Sequence, residues 1–161
     1  MTEEIQIRLA GPEDAAAIAA VLYESFAEFR PLYTDGGFAA TTPDAEHVSL
    51  RMREGTAWLA VREGTVLGTV TAVVRGDAIY MRGMAVLPAA RGSGTGARLV
   101  EEVERFALRE RCGRIFLRTT PFLKAAIRLY ERCGFRRTDA GPHDLFGTPL
   151  LTMEKTVQRP T

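Results

Sequence analysis

Val86-Leu87-Pro88-Ala89-Ala90-Arg91-Gly92-Ser93-Gly94-Thr95-Gly96-Ala97 joins an apolar run to an amphipathic helix through three glycines at alternate positions. At a helix N-terminus the first backbone N–H groups lack intrahelical acceptors and carry partial positive charge. The segment therefore reads as a cradle for an anion such as a pyrophosphate. Glycine lets the main chain turn tightly and approach a ligand with no Cβ in the way.

The flanks give this stretch its setting. Upstream, Ala57–Val61, Val66–Val74 and Ala78–Val86 are apolar or β-branched runs separated by turns at Arg62–Thr65 and Arg75-Gly76-Asp77, which predicts an antiparallel meander. Downstream, Leu99, Val100, Val103, Phe106 and Ala107 mark one buried helix face, with Glu101, Glu102, Glu104 and Arg105 largely outside it. Gly113 is expected to stop that helix, and Ile115–Thr119 reads as a further strand. Strand, glycine loop, helix, strand is a crossover. It makes its two strands parallel and leaves the loop at a strand's carboxyl end, where α/β sheets bind ligands.

Towards the N-terminus, Ile5–Leu9 reads as a strand and Gly11-Pro12-Glu13-Asp14 as a helix opening. Ile18, Leu22, Phe26 and Phe29 recur at helical spacing up to Pro31. The stretch to Thr42, with Gly36-Gly37, reads as a loop, and Thr42 or Asp44 as the cap of a second helix running to about Arg53. Beyond the crossover, a short helix over Lys124–Cys133 ends at Gly134, and Phe135–Thr138 and Leu150–Lys155 form a last strand pair.

Composition bounds the function. A chain of 161 residues, 46% hydrophobic and 25% charged, fits one ordinary globular domain over 1–161. A net charge of +1 provides no field to recruit nucleic acid or an acidic membrane. No apolar run approaches the roughly 20 residues of a membrane span. Cys112 and Cys133 give neither a disulfide framework nor metal-ligand spacing, and Met1-Thr2-Glu3-Glu4 lacks a signal-peptide pattern. A reducing, cytoplasmic setting and a metal-free site are the expectations.

Spacing excludes two familiar phosphate loops. A P-loop needs Gly-Lys-Ser/Thr, but Gly96 is followed by Ala97-Arg98. A dinucleotide fingerprint needs Gly-x-Gly-x-x-Gly, but the third glycine is replaced by Ala97 counting from Gly92 and Leu99 counting from Gly94. Arg91-Gly92-Ser93-Gly94-Thr95-Gly96 instead fits Arg/Gln-x-x-Gly-x-Gly/Ala. Met84-Ala85-Val86 leads into Leu87-Pro88, and Ala126-Ile127-Arg128-Leu129-Tyr130-Glu131-Arg132-Cys133-Gly134-Phe135 carries a tyrosine four residues before Gly-Phe. On these residues the chain resembles the GNAT superfamily of acyl-CoA-dependent N-acetyltransferases over nearly its whole length.

The resemblance implies an α/β (α+β) GNAT fold. Its sheet is mixed and mostly antiparallel, with about seven strands splayed at a central parallel pair and about four flanking helices. It implies acetyl-CoA as acyl donor and a primary amine of a small molecule or peptide as acceptor, attacking the thioester directly in a ternary complex. Homodimers are common in the family. By the same resemblance, backbone groups of Arg91, Gly92, Ser93, Gly94, Thr95, Gly96 and Ala97 hold the pyrophosphate. Met84, Ala85, Val86, Thr119, Ala126 and Tyr130 complete the donor site. Val86 N–H is the oxyanion donor and Tyr130 the general acid that protonates the leaving thiolate; a buried core tyrosine is the alternative reading.

The pattern is incomplete at the acceptor. Ala78–Val86 holds no Asp, Glu or His to act as general base, and Asp77 only precedes it. Glu24 and Glu28 on the first helix are the substitutes on offer, through water or as plain surface charges. Tyr80 and Arg82 are taken to lie in phase with Met84 and Val86, where an arginine selects an acceptor bearing carboxylate or phosphate. Leu123 stands where relatives often carry an asparagine. Phe26, Phe29, Tyr33 and Phe146 are either pocket-lining or core, and His47 and His143 fall in no motif. A catalytically weak acyl-CoA-binding module for regulation or assembly remains the rival reading, and a longer acyl chain or an alcohol acceptor stays open.

Overall fold

The computed structural model describes residues 4–141 and 143–157. Its frame is an eight-stranded mixed sheet: β1 (Gln6–Leu9), β2 (Thr56–Arg62), β3 (Thr65–Arg75), β4 (Ala78–Val86), β5 (Arg114–Thr119), β6 (Arg136–Arg137), β7 (His143–Leu145) and β8 (Thr148–Thr156). The order is β1-β2-β3-β4-β5-β8-β6, with β7 hairpinned onto β8. Only β4 and β5 are parallel, as a crossover through α4 (Thr95–Arg109) requires. The sheet has one strand more than expected, because His143–Leu145 forms its own pairing with β8.

Each face of the sheet has its own core. Leu99, Val100, Val103 and Phe106 on α4, with the helix α5 (Lys124–Arg132), cover Val70, Ile79, Met81 and Ile115. Ile18 and Leu22 on α1 (Ala15–Phe26) and Val48 on α3 (Ala45–Met52) cover Leu59 and Ala85 from the other side. Burying one such leucine stabilises the fold by roughly 1.5–3 kcal/mol. Asp44, rather than Thr42, caps α3 by accepting from His47 N at 2.9 Å.

Three local expectations are corrected. Residues 35–41, read as a loop, form the helix α2 (Asp35–Thr41), capped by Thr34 Oγ1, which accepts from Gly37 N at 3.0 Å. Its glycines serve close packing: a Cβ at Gly37 would overlap Thr148 Oγ1 in the β7–β8 hairpin. Thr34 also donates through Oγ1 to Phe146 O at 2.8 Å, and its N–H donates to Thr148 Oγ1 at 3.0 Å. The second correction concerns Gly113, which does not stop α4. The helix ends at Arg109, and Arg111 makes the reversal at φ 59°. The first helix likewise gives way at Ala27 to a 3₁₀ stretch, Ala27–Leu32, that contains Pro31.

The feature that creates the site is a fault in β4. Thr71 pairs with Arg82 and Thr69 with Ala85, so Gly83 and Met84 together oppose Val70. Gly83 takes φ +61°, in the left-handed region, where a side chain is strained. The extra residue inverts the alternation of the strand. Ile79 and Met81 point to the α4/α5 face before the bulge, and Met84 and Val86 point there after it. Arg82, the partner of Thr71, lies on the opposite, α1/α3 face. Arg82 and Met84 are therefore not in phase, contrary to the expectation.

Candidate active site

The parallel pairing of β4 with β5 covers only Ala78–Arg114, Ile79–Ile115 and Tyr80–Phe116. Beyond it the strands separate, although β4 stays paired to β3 as far as Val86 and β5 to β8 as far as Thr119. The splay leaves the β5-facing edge of residues 81–86 without a strand partner. Leu87 N donates to Leu67 O on β3 at 2.8 Å. Successive strand amides alternate, so the Val86 N–H, and by the same period that of Met84, point into the gap.

A cavity of about 650 Å³ fills this gap. Met84, Ala85 and Val86 form one wall, Gly92, Gly94, Gly96 and Ala97 one end, and Leu123, Ala126, Leu129 and Tyr130 the far wall. Ser25, Phe26 and Phe29 close it from the α1 side. The glycines divide the labour. Gly92 and Gly94 adopt φ +83° and +82°, and a Cβ on either would meet no protein atom, only the cavity they line. Gly96 is a packing glycine, where a Cβ would lie 2.7 Å from Leu129 on α5. The first helical hydrogen bond of α4 runs from Arg98 N to Gly94 O at 3.1 Å. The amides of Thr95, Gly96 and Ala97 are therefore left for an anion. This is a cradle that fits a CoA pyrophosphate.

The other expected site residues are placed as follows. Ser93 and Thr95 do not line the cavity. Their hydroxyls bond to each other at 2.7 Å and Ser93 Oγ donates to Ala90 O, which locks the turn. Arg91 lines the cavity, but its guanidinium reaches back to Glu28 Oε1 at 2.5 Å and Ser25 O at 2.9 Å. Glu28 is thereby engaged, and neither it nor Glu24 lines the cavity. Thr119 is buried at the end of β5, outside the lining. His47 pairs with Asp44 on α3, and Phe146 is 71% exposed.

Tyr130 is 6% exposed, wedged edge-on against Phe135 at 5.9 Å between ring centres. Burial pushes its phenol well above the ordinary tyrosine range, with Cys133 and Tyr33 adding to the shift. It therefore keeps its proton throughout the neutral range. Burial likewise raises the Cys133 thiol, which is not poised as a nucleophile.

Sequence reasoning overlooked several residues of the lining. Glu104 and Lys155 form its floor, with Lys155 Nζ donating to Glu104 Oε1 at 2.7 Å and to Cys133 O at 2.6 Å. Ser25 is 2% exposed, and its Oγ has no hydrogen-bond partner among the described residues. The aromatic side chains on the α1 side form a cluster of their own. Tyr33 meets Phe122 edge-on at 4.8 Å and Phe38 at 5.9 Å, and Phe29 lies 6.4 Å from Phe122. Among the described residues no group of His, Cys, Asp and Glu is placed to hold a metal ion, and no helix is long and apolar enough to cross a membrane.

A sheet split at its one parallel pair, with a glycine turn and helix N-terminus at the mouth of the split, defines an acyltransferase architecture. The chain belongs to the acetyltransferase (GNAT) family, whose model matches residues 19–135. It is 32% identical over 133 residues to the uncharacterized N-acetyltransferase YjgM of Escherichia coli (strain K12), a match covering 79% of each chain. It is 34% identical over 107 residues to N-acetylaspartate synthetase of Danio rerio, covering 65% of this chain and 38% of that protein. The fold is shared with PaiA N-acetyltransferase from Thermoplasma acidophilum in complex with coenzyme A. That match has a TM-score of 0.79 at 17% identity and covers 96% of this chain and 99% of that one. A GNAT-family acetyltransferase from Staphylococcus aureus Mu50 aligns with a TM-score of 0.79 at 17% identity, over 96% of this chain and 100% of that one.

Proposed function

We propose that the protein transfers an acetyl group from acetyl-CoA to a primary amine of a small molecule or peptide, by direct attack in a ternary complex. The observation that carries this reading is the single cavity joining the Gly92–Ala97 turn to the unpaired edge of β4 and to Tyr130. The likeness to an acetyltransferase in complex with coenzyme A supports the donor.

The residues divide the work as follows. Amides at the start of α4 hold the pyrophosphate, and the open edge at Met84 and Val86 takes the pantetheine arm as an added strand. Val86 N–H lies on that edge and donates to the thioester carbonyl oxygen, which gains charge as the amine adds. A well-aimed donor of this kind is worth about 10²–10³ in rate. Tyr130 O–H protonates the departing thiolate; burial, by raising the phenol's pKa, ensures that the proton is present at neutral pH. Glu24 and Glu28 lie outside the cavity, so the amine enters as the free base or loses its proton to water.

The test follows free thiol release from acetyl-CoA across a panel of amines. Release that depends on an added amine is expected. CoA binding with no amine-dependent release would favour a regulatory binding module of the same fold.

A further inference from the structure

The cavity has two sides of unlike chemistry. Glu101, Glu104, Arg132 and Lys155 enter its lining from α4, α5 and β8, on the α4/α5 face of the sheet, and Lys155 is bonded to Glu104 at 2.7 Å. The α1 side presents Phe26 and Phe29, three residues apart and both half-buried, and the turn before α5 adds Leu123. Phe122 lies 6.4 Å from Phe29 and 4.8 Å from the buried Tyr33, so rings already packed together back this wall. Arg91, which reaches this side, is paired with Glu28 at 2.5 Å and bonded to Ser25 O. Arg82, expected to select a carboxylate or phosphate, stands outside the lining and donates to Glu54 Oε2 at 2.8 Å and to Arg51 O at 3.3 Å.

This composition restricts the acceptor. An anionic group against the phenylalanine wall would face no uncommitted cation, and an ammonium would face no carboxylate. An ammonium gains something from lying over a phenyl ring, but nitrogen attacks only through a free lone pair. An amine held as its cation therefore needs a base to discharge it. Glu24 and Glu28 are outside the cavity. The lining carboxylates, Glu101 and Glu104, lie about 6 and 10 Å along the α4 axis from Ala97, further from the mouth. An amine that is already neutral at neutral pH removes the need for a base. A nitrogen attached directly to an aromatic ring is of this kind, because its lone pair is delocalised into the ring. The same ring suits a phenylalanine wall, through offset or edge-on contact.

We propose that the acceptor is an arylamine, a primary amine attached directly to an aromatic ring, whose ring packs against Phe26 and Phe29 while its unprotonated nitrogen attacks the thioester carbon. The inference rests on the acetyl-transfer reading above and names its acceptor class. As the C–N bond forms, the nitrogen becomes positively charged and acidic, and one of its protons passes to water. As the C–S bond breaks, the thiolate takes the Tyr130 proton, which solvent then replaces.

The test compares thiol release from acetyl-CoA for aniline, benzylamine and cyclohexylamine. Aniline should show kcat/KM at least ten-fold above either alkylamine at neutral pH. Its kcat/KM should stay level between about pH 6 and 8, whereas an amine that must first lose a proton gives a value rising about ten-fold per pH unit. Phe29→Ala should raise the KM for aniline about ten-fold, and Phe29→Leu, which restores bulk without the ring, should recover only part of that loss. The Kd of CoA reports on the fold of each variant. Calorimetry on CoA-loaded protein should show aniline binding more tightly than cyclohexylamine, with the difference lost in the Phe26→Ala/Phe29→Ala double variant. An aliphatic amine equal to or better than aniline, or an aniline value that climbs with pH, overturns the arylamine assignment while leaving acetyl transfer intact. Absence of release with every amine overturns the acetyl-transfer reading, and calorimetry then decides the acceptor wall alone: aniline bound no tighter than cyclohexylamine refutes it.

Discussion

Arg82 and Met84 are two residues apart on one strand yet project from opposite faces of the sheet, because Gly83 and Met84 share a single partner, Val70. One short stretch of β4 thus sends side chains to both faces of the sheet without their competing for space. The inversion depends on one backbone angle, φ +61° at Gly83.

Substituting Gly83 by alanine should therefore cost about 1–2 kcal/mol of stability, the strain of a left-handed L-residue. It should also lower kcat/KM beyond what reduced folding explains, because the strand regains pairing by shifting Met84 and Val86. Urea denaturation and steady-state rates on the same samples check both. A loss of stability with unchanged kcat/KM would separate the bulge from catalysis.

Tyr130→Phe should lower kcat ten-fold or more and leave CoA affinity nearly unchanged. The pH profile adds a sign. Since burial raises the Tyr130 phenol above its usual range of about 10, the acid stays protonated and kcat should not fall on the alkaline side below about pH 10. A descending limb between pH 7 and 9 assigned to this residue would remove it from the acid role.

Gly94→Val places a side chain into the cradle at φ +82°, where no protein atom opposes it but the pyrophosphate does. CoA binding measured by calorimetry should weaken at least ten-fold. Equal affinity would mean that the anion lies elsewhere.

Asp14 accepts from Arg8 through both oxygens at 3.0 Å and from Gly11 N at 2.7 Å. The Arg8 hydrogen bond first, and the Gly11 amide next, hold its carboxyl below the usual range. A pKa lower when folded than unfolded stabilises the protein fully above the unfolded value, about 3.9. The contribution is lost as pH falls through the folded value. Asp14→Asn should thus cost about 1–2 kcal/mol at pH 7, and the gap to wild type should narrow below pH 4 in urea titrations.

Much of the fold around the cavity was legible in the chain. Alternating apolar runs locate the meander, and the spacing of Leu99, Val103 and Phe106 locates α4. The glycine turn at its start is local chemistry, readable without the partners it meets. What was not legible depends on contacts distant in sequence. Gly36-Gly37 reads as a loop because nothing nearby reveals that the hairpin of residues 143–156 presses against that helix. The phase of Arg82 was misread because one glycine inside an apolar run does not announce a bulge. The meeting of Arg51 with Arg82 was not legible, because only the fold brings α3 beside β4.

The ties of Thr34 to Phe146 and Thr148 span more than a hundred residues of chain. One hydroxyl rivets the first helical region to the last hairpin. Helix α2 and the β7–β8 hairpin are thereby clasped into one piece, and loss of the Thr34 hydroxyl would unfasten two ends of the chain with a single substitution.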